Sequence, residues 1–176
     1  MSRTLLLVLA ACALSCAAAA EVVDSQADGF TIKETAAIAG PPAKVWATLI
    51  KPAAWWSPDH TYSHDARNLT LDPRAGGAWI ETLPSGGGVR HMVVVYIDPP
   101  KALRLEGALG PLQAMGGGGH MTVTLKPKGE ATDVTLTYDF SGHTPGGFLP
   151  LAPAVDGVLK AQITRLKASV EQGSAP

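Results

Sequence analysis

The sequence predicts an α+β domain: a curved antiparallel sheet of about six or seven strands wrapped around one long C-terminal helix, with one or two short helices after the first strand. Three observations predict it. Runs with every second residue apolar recur through the middle of the chain, separated at even intervals by Gly and Pro turns. One apolar stripe of helical period closes the chain. No helical pattern alternates with the middle strands, which argues against a βαβ layout.

The elements follow in order. Arg3 precedes an apolar run from Leu5 to Leu14, and Ala18-Ala19-Ala20 precede Glu21. A basic start, a short apolar stretch and small residues at a cut describe a secretory signal peptide over residues 1–20. The run falls short of the roughly 20 residues of a membrane span. Cleavage near Ala20 is expected, with a periplasmic or secreted product. Leu9-Ala10-Ala11-Cys12 also has lipobox character, so the alternative is a lipid anchor at Cys12. Cleavage at Ala20 removes both cysteines, leaving no disulfide, thiol nucleophile or cysteine metal site. It also removes Arg3, leaving 13 basic residues against 15 acidic ones and a formal charge of −2. With no basic patch, nucleic acid is not an expected partner.

Residues 21–28 read as a polar lead-in to a single domain over residues 29–172. Phe30, Ile32, Glu34, Ala36 and Ile38 alternate with Thr31, Lys33 and Thr35, a strand pattern. Gly40-Pro41-Pro42 ends it. Proline suits a helix start, and Val45, Trp46, Leu49 and Ile50 follow at helical spacing until Pro52. Trp46 therefore belongs to the core. After an irregular segment come strands at 69–71, 78–83, 89–97, 103–106, 120–126 and 134–140, divided by Gly- and Pro-rich turns. Val155, Leu159, Ile163, Leu166 and Val170 then recur at three- and four-residue steps, forming one face of a long helix.

Several of these segments resemble a known family. Pro41-Pro42-Ala43-Lys44-Val45-Trp46, then Trp55-Trp56 with Pro58, then Leu71-Asp72-Pro73-Arg74-Ala75-Gly76-Gly77-Ala78-Trp79, are similar to the SRPBCC (START-like) superfamily, as is the final amphipathic helix. The resemblance runs from about Phe30 to Val170, closest to the polyketide-cyclase/dehydrase and chaperone-ATPase-activator-homologue branches. It implies a helix-grip fold with an internal cavity. A fold shared by carriers, cyclases and interaction modules does not name its function.

Strand parity supplies candidate cavity residues. A turn at Gly129-Glu130 sets Met121 opposite Tyr138 and Val123 opposite Leu136, all inward. Val123 and Leu136 read as plain core, Met121 and Tyr138 as cavity wall. A hairpin centred on Gly86 sets Glu81 opposite His91 and Trp79 opposite Val93, with Val93 on the apolar face. Glu81 and His91 would then be a buried pair, able to orient a polar ligand group or to serve as an acid and base. A structural ion pair, or a one-residue slip exposing both, is the alternative. One of the adjacent Trp55 and Trp56 can face inward and cap the mouth. Phe148 reads as a second flap, and Gly107, Gly110 and Gly116–Gly119 as mobile turns beside Met115.

No metal or cofactor is expected. His60 and His64 stand four apart, but Pro58, Tyr62 and Ser63 do not suit a helix and no HExxH motif is present. The glycine run has no GxxxxGK[ST] context, and no serine stands in G-x-S-x-G. The leading expectation is a carrier or sensor of a small hydrophobic or amphipathic molecule in the cell envelope. A cyclase/dehydrase-type enzyme using Glu81 and His91 is one alternative, and a chaperone-activator-like interaction module another.

Overall fold

The computed structural model describes residues 19–173. The leader expected over residues 1–20 lies outside these, apart from Ala19 and Ala20. Eight strands form one antiparallel sheet: β1 (Ala19–Gln26), β2 (Gly29–Ala39), β3 (Leu69–Leu71), β4 (Ala78–Thr82), β5 (Gly88–Asp98), β6 (Ala102–Gly107), β7 (Gly116–Lys128) and β8 (Ala131–His143). Their spatial order is β1-β2-β8-β7-β6-β5-β4-β3. The chain meanders from β3 to β8, which returns to pair with β2. Helix α1 (Pro42–Leu49) follows β2, and helix α2 (Ala152–Gln172) packs across β2 and β1.

Residues 19–26 are a strand, where the sequence reads as a lead-in over residues 21–28. Asp24, Ser25 and Gln26 have little strand character of their own. What holds them is ladder pairing with Thr31, Phe30 and Gly29 across a tight turn. An edge strand half open to water needs no apolar alternation, so its pattern was silent.

The inner sheet face and α2 bury one continuous core. Ile32, Ile38, Leu103, Met121, Leu136, Tyr138 and Phe140 come from the sheet, and Leu159, Ile163, Leu166 and Val170 from the helix. Gln162 and Ser169 are also buried on α2. They face the 52–60 segment, which polar bonds fasten to the helix. The Ser57 N–H donates to Oε1 of Gln162 at 2.8 Å, Ser169 Oγ donates to the Ala54 carbonyl at 3.1 Å, and Arg165 Nε donates to the Trp55 carbonyl at 3.0 Å. Along the same half of α2, Lys167 Nζ donates to the Ala37 carbonyl and Glu171 accepts from the Ala39 N–H, tying the helix to β2. Gly173, at φ 83, closes the helix in the left-handed conformation that favours glycine.

The β7–β8 register sets Met121 against Tyr138 and Val123 against Leu136, the pairing expected from the Gly129 turn. Gly116–Gly119 are paired strand, not a loop. A methyl group on Gly117 would meet the Ser141 carbonyl and the Phe140 ring, and one on Gly119 the Asp139 carbonyl, while Gly118 between them has open space.

A candidate ligand-binding site

A cavity between α2 and the sheet has a volume of about 490 Å³, within the range of small-molecule sites. Leu151, just before α2, and Ala154, Val155, Val158 and Leu159 of its N-terminal half form one wall. The 109–115 segment supplies Leu109, Pro111, Leu112 and Met115, and the 56–62 segment supplies Trp56, Asp59, His60, Thr61 and Tyr62. Trp79 and His91 close it from the sheet.

The rings form a continuous band. Trp55 meets Trp56 edge-on at 5.4 Å between centroids, and Trp56 meets Trp79 at 4.8 Å and 89°. Trp79 lies 5.9 Å from His91, and His91 lies 6.1 Å from Tyr62. Edge-to-face contacts add to burial in fixing such rings. Across the mouth, the Tyr62 hydroxyl donates to the Gly110 carbonyl at 2.8 Å. That bond ties two wall segments together. Behind them, Gln162 Nε2 and His60 Nδ1 stand 2.7 Å apart.

His91 reaches the interior through a bulge. Glu81 pairs with Val89, not with His91, and Trp79 pairs with Met92, not with Val93. β4 steps from Ile80 to Trp79 while β5 steps from Arg90 to Met92, so His91 is the extra residue. His91 and Met92 are consequently both buried. The inside–outside alternation flips beyond them, burying Val94 and leaving Val93 half-exposed on the opposite side. Val93 is therefore not a cavity residue.

Glu81 and His91 still meet, diagonally, with Oε2 to Nε2 at 3.0 Å. Glu81 is 0 % exposed and does not itself line the cavity. Its carboxylate also accepts from the Tyr62 N–H at 3.2 Å and the Ser63 N–H at 2.5 Å. Burial pushes its pKa up, but hydrogen bonds from Ser63, Tyr62 and His91 outweigh burial and hold it below the usual value. Burial depresses the His91 pKa, with Glu81 only partly opposing. The pair is thus a carboxylate and a neutral imidazole.

The remaining candidates lie elsewhere. Trp55 packs behind Trp56, its indole N–H donating to the Leu49 carbonyl at 3.1 Å, and borders a separate void of about 10 Å³ with Met121 and Val123. Trp79 borders both spaces and divides them. Tyr138 is fully buried beneath Phe30 and Phe140, its hydroxyl 3.4 Å from the Gly107 carbonyl. Burial raises its pKa. Phe148 is core, edge-on to Phe140 at 5.2 Å, not a flap, because the Gly147 turn folds it inward under the Ala27 carbonyl. Of the candidates, then, Trp56, Trp79, His91 and Met115 meet at the cavity, with Glu81 directly behind.

Tyr62, Leu109, Leu112 and Val158 also line the cavity, beyond the residues that strand parity marks. For Val158, next to the Val155–Leu159 stripe, helical spacing was a usable signal. Among the described residues, no group of three or more His, Cys, Asp or Glu is placed to hold a metal. None of their helices is long and apolar enough to cross a membrane.

A curved antiparallel sheet gripping a long helix over an apolar hollow defines a protein of the SRPBCC, helix-grip class. The chain belongs to the polyketide cyclase/dehydrase and lipid transport family, whose model matches residues 29–171. No curated protein matches it. Solved structures share the fold at low identity. A conserved protein of unknown function from Enterococcus faecalis is 15 % identical, with a TM-score of 0.61 and coverage of 90 % of this chain and 80 % of that one. A putative uncharacterized protein from Rhizobium leguminosarum is 17 % identical, with a TM-score of 0.61 over 89 % and 99 % of the two chains. CalU16 from Micromonospora echinospora is 13 % identical, with a TM-score of 0.59 over 91 % and 86 %.

Proposed function

We propose that this domain holds a small hydrophobic or amphipathic molecule between α2, the 56–62 segment and the 109–115 segment, and serves as a carrier or sensor in the cell envelope. The observation that carries the reading is a cavity of about 490 Å³ walled mainly by aliphatic and aromatic side chains. Affinity would come from apolar area removed from water, about 0.8 kcal/mol for each buried CH₂. The family's association with lipid transport and cyclase chemistry agrees with such a ligand. The Arg3, Leu5–Leu14 and Ala18-Ala19-Ala20 pattern supports export. Tyr62 and the 109–115 segment, bonded at Gly110, stand where a ligand would pass.

The test fills the cavity. Protein purified gently from the envelope fraction is expected to carry a defined hydrophobe, seen by native mass spectrometry and organic extraction. Val158→Trp projects a ring into the same space and is expected to empty it while cooperative thermal unfolding persists. Ligand retained in a folded Val158→Trp protein would overturn the reading.

A further inference from the structure

Gln162 interrupts the apolar stripe of α2, one turn beyond the cavity residues Val158 and Leu159, and is 0 % exposed. A buried amide needs partners at both its ends. Here both ends go to the 56–62 segment. Oε1 accepts from the Ser57 N–H at 2.8 Å, and Nε2 stands 2.7 Å from Nδ1 of His60.

These contacts fix each other's polarity. A backbone N–H can only donate, so the oxygen of the amide faces Ser57. The NH₂ group therefore faces His60 and donates, and Nδ1 is its bare acceptor. His60 meets that demand only as a neutral imidazole with its proton on Nε2. Protonation puts an N–H on Nδ1, and two donors then oppose each other. Turning the amide over would restore that bond and break the one to Ser57. Gln162 thus holds the segment by two bonds when His60 is neutral and by one when it is charged.

His60 is exposed and lines the cavity, so protons reach it without unfolding. Asp59, Thr61 and Tyr62 border the same space. The indole N–H of Trp56, another wall residue, donates to the His60 carbonyl at 3.0 Å. What loosens His60 from α2 therefore loosens that wall.

We propose that Ser57, Gln162 and His60 form an acid-released latch on the cavity, which holds ligand at neutral pH and lets it go when His60 is protonated. The assignment rests on the binding reading above and adds its regulation. Other charges surround the latch. Asp59 adjoins His60 in its own segment, Arg165 of α2 donates to the Trp55 carbonyl, and His91, backed by Glu81, closes the same cavity from the sheet. Asp156 and Lys160 of α2 act on Glu34 of β2. The 109–115 segment carries no charge. His91 is therefore the rival source of a pH effect on binding.

The probe is N-phenyl-1-naphthylamine, uncharged across the range used, whose fluorescence rises in apolar surroundings. Its affinity for the wild-type protein is expected to fall roughly fivefold between pH 7.5 and 5.5, the loss of one hydrogen bond. In His60→Asn, Oδ1 keeps an acceptor in place of Nδ1 but takes up no proton, and the affinity is expected to stay level. His91→Phe is expected to keep the fall. Without any ligand, the Gln162 side-chain amide signal is expected to move in ¹⁵N spectra as His60 titrates. No fall in the wild type, a full fall in His60→Asn, its loss in His91→Phe or a stationary amide signal overturns the latch and leaves the cavity reading standing. A probe that binds at neither pH overturns both.

Discussion

His91 shows how one inserted residue can change the chemistry of a wall. Without the bulge the strand would alternate normally through Val93. With it, an imidazole stands inside, held neutral by burial and oriented by Glu81. The same burial makes His91 a liability in acid. Its folded pKa lies below the ordinary 6.5, so the unfolded chain takes up the proton first. Stability from this residue is complete above that ordinary value and is lost as pH falls through the folded one. Glu81, also depressed, adds a loss of the same sign below 4.5. His91→Phe is expected to flatten the decline in stability below pH 6.5 in urea unfolding. An unchanged slope would mean that the imidazole is not held neutral.

At the scale of elements, the docking of α2 on β2 contains a conflict. Glu34, 0 % exposed on the inner face of β2, meets no donor at either carboxyl oxygen while ionised, and Oδ1 of the neighbouring Asp156 on α2 meets none either, so the two can bond only when one is protonated. Burial, then the charge and hydrogen bonding of Asp156, raise the Glu34 pKa from 4.5 to about 7, with Lys160 pulling weakly the other way. The sign is opposite to that of His91. Glu34 favours the fold while protonated, and this contribution is lost as pH rises from 4.5 through 7. Replacing it with a neutral isostere removes the conflict. Glu34→Gln is expected to stabilise the protein by about 3 kcal/mol at pH 8 and by little at pH 4. Chemical unfolding at the two pH values checks it, and a gain of equal size at both would point to packing instead of charge. The sequence placed Glu34 inward among apolar residues, but its meeting with Asp156 needed the helix in position.

Across the whole molecule, what could be read from the sequence divides by physical cause. The meander, the α2 stripe and the β7–β8 register were legible because periods of 2 and 3.6 and the Gly129 turn specify them locally. The β4–β5 register was not, since a bulge leaves no mark in residue pattern. Nor was most of the cavity wall. Tyr62, Leu109 and Leu112 lie in aperiodic segments whose place is set by tertiary bonds, such as Tyr62 to Gly110. Tyr138 and Phe148, read as wall and flap, belong to an aromatic core beneath the sheet's other end. Sequence thus named Glu81, His91, Trp56 and Trp79, which meet at or behind the cavity, but could not outline that space.

The glycine run in β7 carries a consequence for how this chain can drift over generations. Neighbours of identical type are held to unequal standards: Gly116 abuts the backbone of β8, Gly117 and Gly119 abut its backbone and rings, while Gly118 faces open space. In a saturation library selected for folded protein, alanine is expected to persist at 118 and to vanish at 116, 117 and 119. Equal survival at all four would mean that the two strands can part at little cost. Low complexity here records three fixed letters and a single free one, a constraint that a run of identical residues conceals.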